Sequence, residues 1–235
     1  IPQARDIKPI FVLSLFQTIG QYFFFYLGLS RASAMSSSII EASANFLAIL
    51  FAALAFHTEK LSTAKVLGCA LGFAGVALVN LSGADGTFGF TLDGEGFILA
   101  STVAGALSTC LIGIFSRKHD GVLLAGWQFL VGGLVLTAIG FLMGGALSPT
   151  AIVPAIALII YMALISAVAY SLWSRLLAVN PVSRVSVFGF MNPVFGVVLS
   201  ALLLGEGAGT SLVTVIVALL LVCGGIIIVN KPKKA

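Results

Sequence analysis

The chain of 235 residues is 60% hydrophobic and only 9% charged, with 26 glycines and a formal charge of +4. Soluble domains carry about a quarter charged residues, so a mean hydropathy of +1.16 excludes a water-soluble monomer. Apolar runs of about 20 residues cross ~30 Å of hydrocarbon as helices; the alternating ~10-residue segments of a membrane β-barrel do not occur.

The expected fold class is all-α integral membrane, with eight transmembrane helices. Ile1–Lys8 is short and mixed in charge, without the basic, apolar and small-residue succession of a signal peptide. Span one, 9–29, carries Gln17 and Gln21 four residues apart, with Tyr22 beside them. Span two, 35–56, places Ser37, Glu41 and Asn45 at i, i+4 and i+8, on one helix face. Glu59-Lys60-Leu61-Ser62 leads into span three, 63–81, where Gly68, Gly72 and Gly75 form a small-residue face. The longest connection, Ser82–Glu95, is glycine-rich and acidic. Span four, 96–115, has a second small face in Gly105, Thr109 and Gly113, and span five covers 122–142. Span six, 152–176, carries Ser166, Tyr170 and Trp173 (or Ser174) as a stripe. Span seven, 182–204, holds Asn192 just before Pro193, whose missing N–H frees a carbonyl one turn earlier. Glu206 follows, then span eight, 211–229, with Gly225 and a terminal Lys231, Lys233 and Lys234.

Eight crossings put both termini on one face. That face receives Arg5, Lys8, Lys60, Lys65, Arg117, Lys118, Arg175, Arg184, Lys231, Lys233 and Lys234, eleven of the twelve Lys and Arg residues. The other face receives Arg31, with Asp85, Asp93, Glu95 and Glu206. Short loops follow the positive-inside rule, so the basic face is expected to be cytoplasmic in a cell (inner) membrane.

The chain also repeats itself. Asn45-Phe46, an apolar run and Glu59 recur 147 positions later as Asn192-Pro193, an apolar run and Glu206. Gly75-Val76-Ala77-Leu78-Val79-Asn80 recurs 150 positions later as Gly225-Ile226-Ile227-Ile228-Val229-Asn230. The two glutamates fall on opposite faces, so the repeat unit has an odd number of helices and is inverted, the plan of many secondary transporters. Spans one to three match spans six to eight. Spans four and five then require counterparts ahead of Ile1, two helices of on the order of 60 residues. The expected division is 1–81, the last three helices of a first repeat, and 96–230, a complete second repeat of five.

These residues resemble the EamA-type transporters of the drug/metabolite transporter superfamily. Asn192-Pro193-Val194-Phe195 through Leu204-Gly205-Glu206, then Gly224-Gly225, carry the resemblance in the second half. Asn45-Phe46 through Glu59-Lys60-Leu61-Ser62, then Gly68, Gly72 and Gly75, carry it in the first, departing from the pattern at Phe46, where proline is common. The resemblance implies a ten-helix bundle of two inverted five-helix repeats. It also implies a central cavity lined mainly by spans one, two, six and seven, and alternating access about a midplane site.

Glu41 carries the sharpest chemistry. It lies roughly 10 Å below the outer end of span two, where an unpaired carboxylate costs about 2.5–3.5 kcal/mol and so faces the bundle interior or water. Burial favours its neutral acid, as a proton site or a site for a substrate amine requires; the alternative is a protonated Glu bonded to a neighbouring helix. Gln17, Gln21, Tyr22, Ser37, Asn45, Tyr170, Trp173 and Asn192 complete four polar stripes that together suit a hydrated substrate cavity. Singly, they suit helix–helix hydrogen bonds worth about 0.6 kcal/mol each. Glu59, Glu206, Pro193, Gly68, Gly72, Gly75 and Gly225 are expected to be structural, the two glutamates as caps of the helices that follow them. The glycine faces also suit a homodimer contact.

Cys69, Cys110 and Cys223 are scattered within spans, and His57 and His119 stand far apart at helix ends, so no metal site or cofactor is expected. No P-loop or Gly-x-Ser-x-Gly is present. The expected partners are a small-molecule substrate and membrane lipid, with no nucleic acid. The expectation is a secondary transporter, not an enzyme, moving amino-acid-like or amphipathic metabolites, with proton coupling through Glu41. An intramembrane enzyme acting on a lipid-linked substrate is the alternative, and it would need a second reactive group at the depth of Glu41. A scaffold without transport would tolerate apolar replacement of the stripes.

Overall fold

The computed structural model describes residues 1–32, 34–82, 91–146, 151–195, 199 and 212–231. Among these residues the regular structure is entirely helical. The elements are α1 (Ala4–Leu29), α2 (Ala34–Leu50, prolonged by a π-helical turn, Phe51–Ala55), α3 (Thr63–Ser82), α4 (Glu95–Phe115), α5 (Gly121–Leu142), α6 (Ile152–Val179), α7 and α8 (Leu212–Asn230). Helix α7 opens as Val182–Ser186, tightens to a 3₁₀ turn at Val187–Phe190 and resumes over 191–195. Six helices are long and apolar enough to cross a membrane, and Thr63–Leu78 is a shorter apolar stretch. The chain is a multi-pass helical membrane protein. Glu206, the end of the seventh expected span, Asp85, Lys233 and Lys234 lie outside the described residues.

Local chemistry sets the helix ends. Sequence places the first start at Pro9, but α1 begins at Ala4 because the Asp6 carboxylate accepts the Gln3 N–H at 2.8 Å. That cap offsets the hydrogen bond that Pro9 removes inside the helix. Asp120 caps α5, accepting from the N–H groups of Val122 at 2.9 Å and Leu123 at 3.3 Å. The π turn of α2 closes with His57 in the left-handed region, φ +50°, which lets Thr58 N–H reach the Ala52 carbonyl at 2.8 Å.

Helix α4 is the hub: half of its apolar window is buried, against none for α6, which lies at the periphery. It packs on α1 and α2 and reaches α6 and α7. Helices α3 and α8 form a second close pair. Gly68 and Gly225 make that approach possible, since a Cβ on Gly225 would lie 2.4 Å from the Gly68 carbonyl oxygen. A Cβ on Gly75 would meet the Ala218 carbonyl at 2.8 Å, and one on Gly72 the Phe190 ring at 2.5 Å. The glycine face of span three is thus filled within the chain, by α8 and Phe190. In water's absence, close packing of this kind supplies much of the helix association.

The connections sort to two ends. Asp6 meets His119 Nδ1 at 2.6 Å, and Glu59 meets Ser183, joining four basic-face segments. At the other end Arg31 pairs with Asp93 at 3.2 Å, both exposed, a contact worth little by itself.

Candidate functional site

A cavity of about 330 Å³ opens between α1, α2, α4, α6 and α7. Its wall is polar and uncharged among the described residues: Gln17 and Gln21 from α1, Asn45 from α2, Thr109 from α4, Tyr170 and Trp173 from α6, and Asn192 from α7. The volume suits a small solute, at the lower end of ligand sites. A π-helical stretch, Ser14–Gly20, runs through the middle of α1 and includes Gln17; such stretches are frequent at functional sites. The side-chain oxygens of Gln17 and Gln21 are buried without a hydrogen-bond partner. Each is an acceptor whose desolvation a ligand N–H or O–H would offset.

Small residues shape the wall. Gly105 lets the Gln21 amide lie against α4, where a Cβ would be 3.0 Å from it. Gly189 does the same for Asn45, whose Oδ1 would be 2.1 Å from an added Cβ. Pro193 cannot donate to the carbonyl of Gly189; that carbonyl instead accepts the N–H of Met191 at the end of the 3₁₀ turn.

The structure thus brings Gln17, Gln21, Asn45, Tyr170, Trp173 and Asn192 to one cavity. Tyr22 stands behind the wall: its hydroxyl meets that of Tyr170 at 3.0 Å, and its ring lines a separate, mostly apolar pocket between α1 and α5. Ser37 is buried, with its hydroxyl unpartnered. Glu41 is half-buried one turn from Asn45, has no hydrogen-bond or ion-pair partner among the described residues, and does not line this cavity. Helix α4 is the wall that the resemblance did not name. Gly105 and Thr109 were legible only as a packing face, because small residues that admit a neighbouring helix and small residues that leave a cavity look alike in sequence.

Glu59 does not cap the helix that follows it. Its carboxylate accepts the N–H of Ser183 at 3.0 Å, accepts the Ser183 hydroxyl and pairs with Lys65. It therefore caps the first turn of α7, 124 residues away. The cap of α3 is instead weak, Ser62 Oγ accepting Lys65 N–H at 3.4 Å. Cys69 and Cys110 are buried free thiols, Cys110 donating to the Ala48 carbonyl, and Cys223 is an exposed one. Among the described residues no cluster of His, Cys, Asp or Glu could hold a metal ion.

Helices long and apolar enough to cross a membrane thus surround an uncharged polar cavity. Residues 1–81 and 92–231 match the EamA-like transporter family, and the chain belongs to that family, within the drug/metabolite transporter superfamily. A WAT1-related chloroplastic protein of Arabidopsis thaliana is 28% identical over 216 residues, 87% of this chain and 52% of its own. The uncharacterized transporter YvbV of Bacillus subtilis is 28% identical over 180 residues, 75% of this chain and 57% of its own. An uncharacterized transporter of Archaeoglobus fulgidus is 25% identical over 203 residues, 86% of this chain and 71% of its own. The chain spans about half the length of the first two relatives. A solved crystal structure with 21% identity superposes with a TM-score of 0.76, covering 98% of this chain and 79% of its own; it supports the fold.

Proposed function

We propose that the chain is the greater part of a secondary transporter that moves small metabolites by alternating access through the polar cavity. The observation that carries this is the composition of the cavity wall: amide, hydroxyl and aromatic groups drawn from both family-matched segments, 1–81 and 92–231. Such a wall separates when two halves rock, as inverted repeats do. We assign 1–81 to the last three helices of a first repeat and 96–230 to a complete second one, in a ten-helix protein. The basic face is cytoplasmic, so both ends of this chain lie on the cytoplasmic side of the inner membrane.

The uncommitted oxygens of Gln17 and Gln21 favour a solute that donates hydrogen bonds, and the Tyr170 and Trp173 rings favour a cationic or apolar part beside them. Amino-acid-like and amphipathic amine solutes combine both. Glu41 lies one turn from Asn45 of the wall without lining the cavity itself, and we assign it the proton step rather than direct contact with the solute.

The test is a metabolite survey of medium from cells expressing the full-length protein, with uptake of labelled solutes as the second arm. One compound class is expected to accumulate or be taken up with the intact protein and to be lost with Gln21→Ala or Asn192→Ala. Glu41→Gln is expected to flatten the pH dependence of that transport. Unchanged transport in both cavity variants, at equal membrane insertion, would overturn the assignment of the cavity.

A further inference from the structure

We propose that the first turn of α7, Val182–Ser186, is the gate that closes the cavity toward the basic face, with the Glu59 carboxylate as its latch and the 3₁₀ turn Val187–Phe190 as its hinge. The proposal rests on the alternating-access reading above and names the element that moves in it. Each of the five helices that wall the cavity adds a buried apolar side chain on its basic-face side. Leu13 comes one turn before Gln17 on α1, Ala52 follows Asn45 on α2, and Ile112 follows Thr109 on α4. Leu177 follows Trp173 on α6, and Val182 and Val185 precede Gly189 on α7. All six belong to one apolar cluster, and none is more than 5% exposed. They form the floor of the cavity, and helices ahead of Ile1 would only add to their burial.

The α7 part of this floor sits on a helix of only five residues, bounded by Pro181 and the 3₁₀ turn. A 3₁₀ stretch inside a helix often marks a hinge, and Pro193 withholds the N–H that would tie Gly189 forward. The hinge itself is anchored. Val187 and Phe190 are fully buried in a second apolar cluster, with Cys69 and Val76 of α3 and Val222 of α8. On the gate's side of the hinge, the Glu59 carboxylate accepts the Ser183 N–H at 3.0 Å and the Ser183 hydroxyl, reaching from one family-matched segment to the other. Lys65 pairs with the same carboxylate and belongs to the same segment as Glu59. When Val182–Ser186 swings away, Glu59 therefore keeps its countercharge. Opening breaks hydrogen bonds to Ser183 without stranding an unpaired buried carboxylate, the costly outcome.

The test uses the full-length protein with Thr109→Cys as its sole cysteine, in membrane vesicles exposed on one face or the other to an impermeant thiosulfonate. A separate chain with Lys118→Cys identifies the basic face, so the result does not depend on the orientation assigned above. With the gate intact, Thr109→Cys is expected to label from the opposite face. Ser183→Ala and Glu59→Gln are each expected to raise its labelling rate from the basic face about tenfold, the change in open fraction that loss of one charge-assisted hydrogen bond supplies. Labelling from the opposite face is expected to stay the same or fall. A cap that only stabilises the fold would raise labelling from both faces together. That outcome, or no rise from the basic face, would overturn the gate and leave the transport reading standing. No labelling from either face in any variant would overturn the cavity as a solute path, and the gate with it.

Discussion

Replacing Glu59 with alanine tests whether the junction between the two family-matched segments holds them together. The Glu59 and Lys65 side chains are only 8% and 16% exposed. Removing one partner of a buried ion pair costs about 3–5 kcal/mol; Lys65 can extend toward headgroup water, which puts Glu59→Ala near the lower end, about 3 kcal/mol. Ser183→Ala removes one charge-assisted donor and leaves the backbone N–H contact, costing about 1.5–2 kcal/mol. Once Glu59 is gone the hydroxyl has lost its acceptor, so adding Ser183→Ala should cost almost nothing more. The double variant is then expected to be no less stable than Glu59→Ala, with a coupling of about 1.5–2 kcal/mol. The assay is denaturant unfolding of the full-length protein in one detergent for wild type, both single variants and the double. Losses that add to within about 0.5 kcal/mol would refute the junction, because residues without a shared interaction add in that way.

Gly225→Ala is expected to destabilise the protein by about 1–3 kcal/mol, since the new methyl would press on the Gly68 backbone rather than on a flexible side chain. Gly224→Ala, with nothing within 4 Å of its Cβ, is the neutral control in the same thermal unfolding assay. Gly189→Ala is expected to displace the Asn45 amide from the cavity wall and to abolish transport at normal expression, read by solute flux and membrane yield together. A cysteine at Arg31 is expected to react with an impermeant maleimide added to intact cells, and one at Lys118 only after the membrane is opened; the reverse pattern would invert the orientation.

Much of the architecture is written along the chain in one dimension. Helical spans follow from apolar runs as long as the hydrocarbon is thick, and the described helices fall within a few residues of the expected ones, apart from the early start that Asp6 gives α1. The polar stripes of α1, α2, α6 and α7 were visible because helical spacing puts i and i+4 on one face. Asn192 beside Pro193 marked a helix whose preceding turn, Val187–Phe190, departs from the regular α form.

What faces what was decided by packing. Glu59 had to cap some helix, but that it caps α7 and not α3 depends on two loops meeting at one end of the bundle. Gly68 and Gly75 permit a close approach without naming the partner; α8 and its Gly225 supply it. Thr109 joined the cavity wall, and Glu41 did not, although only the glutamate stood out in sequence. In a chain this apolar, helix faces differ by single methyl groups, and association rests on shape complementarity between specific surfaces. Periodicity therefore determines which faces are polar or small, while their pairing exists only once the helices are assembled.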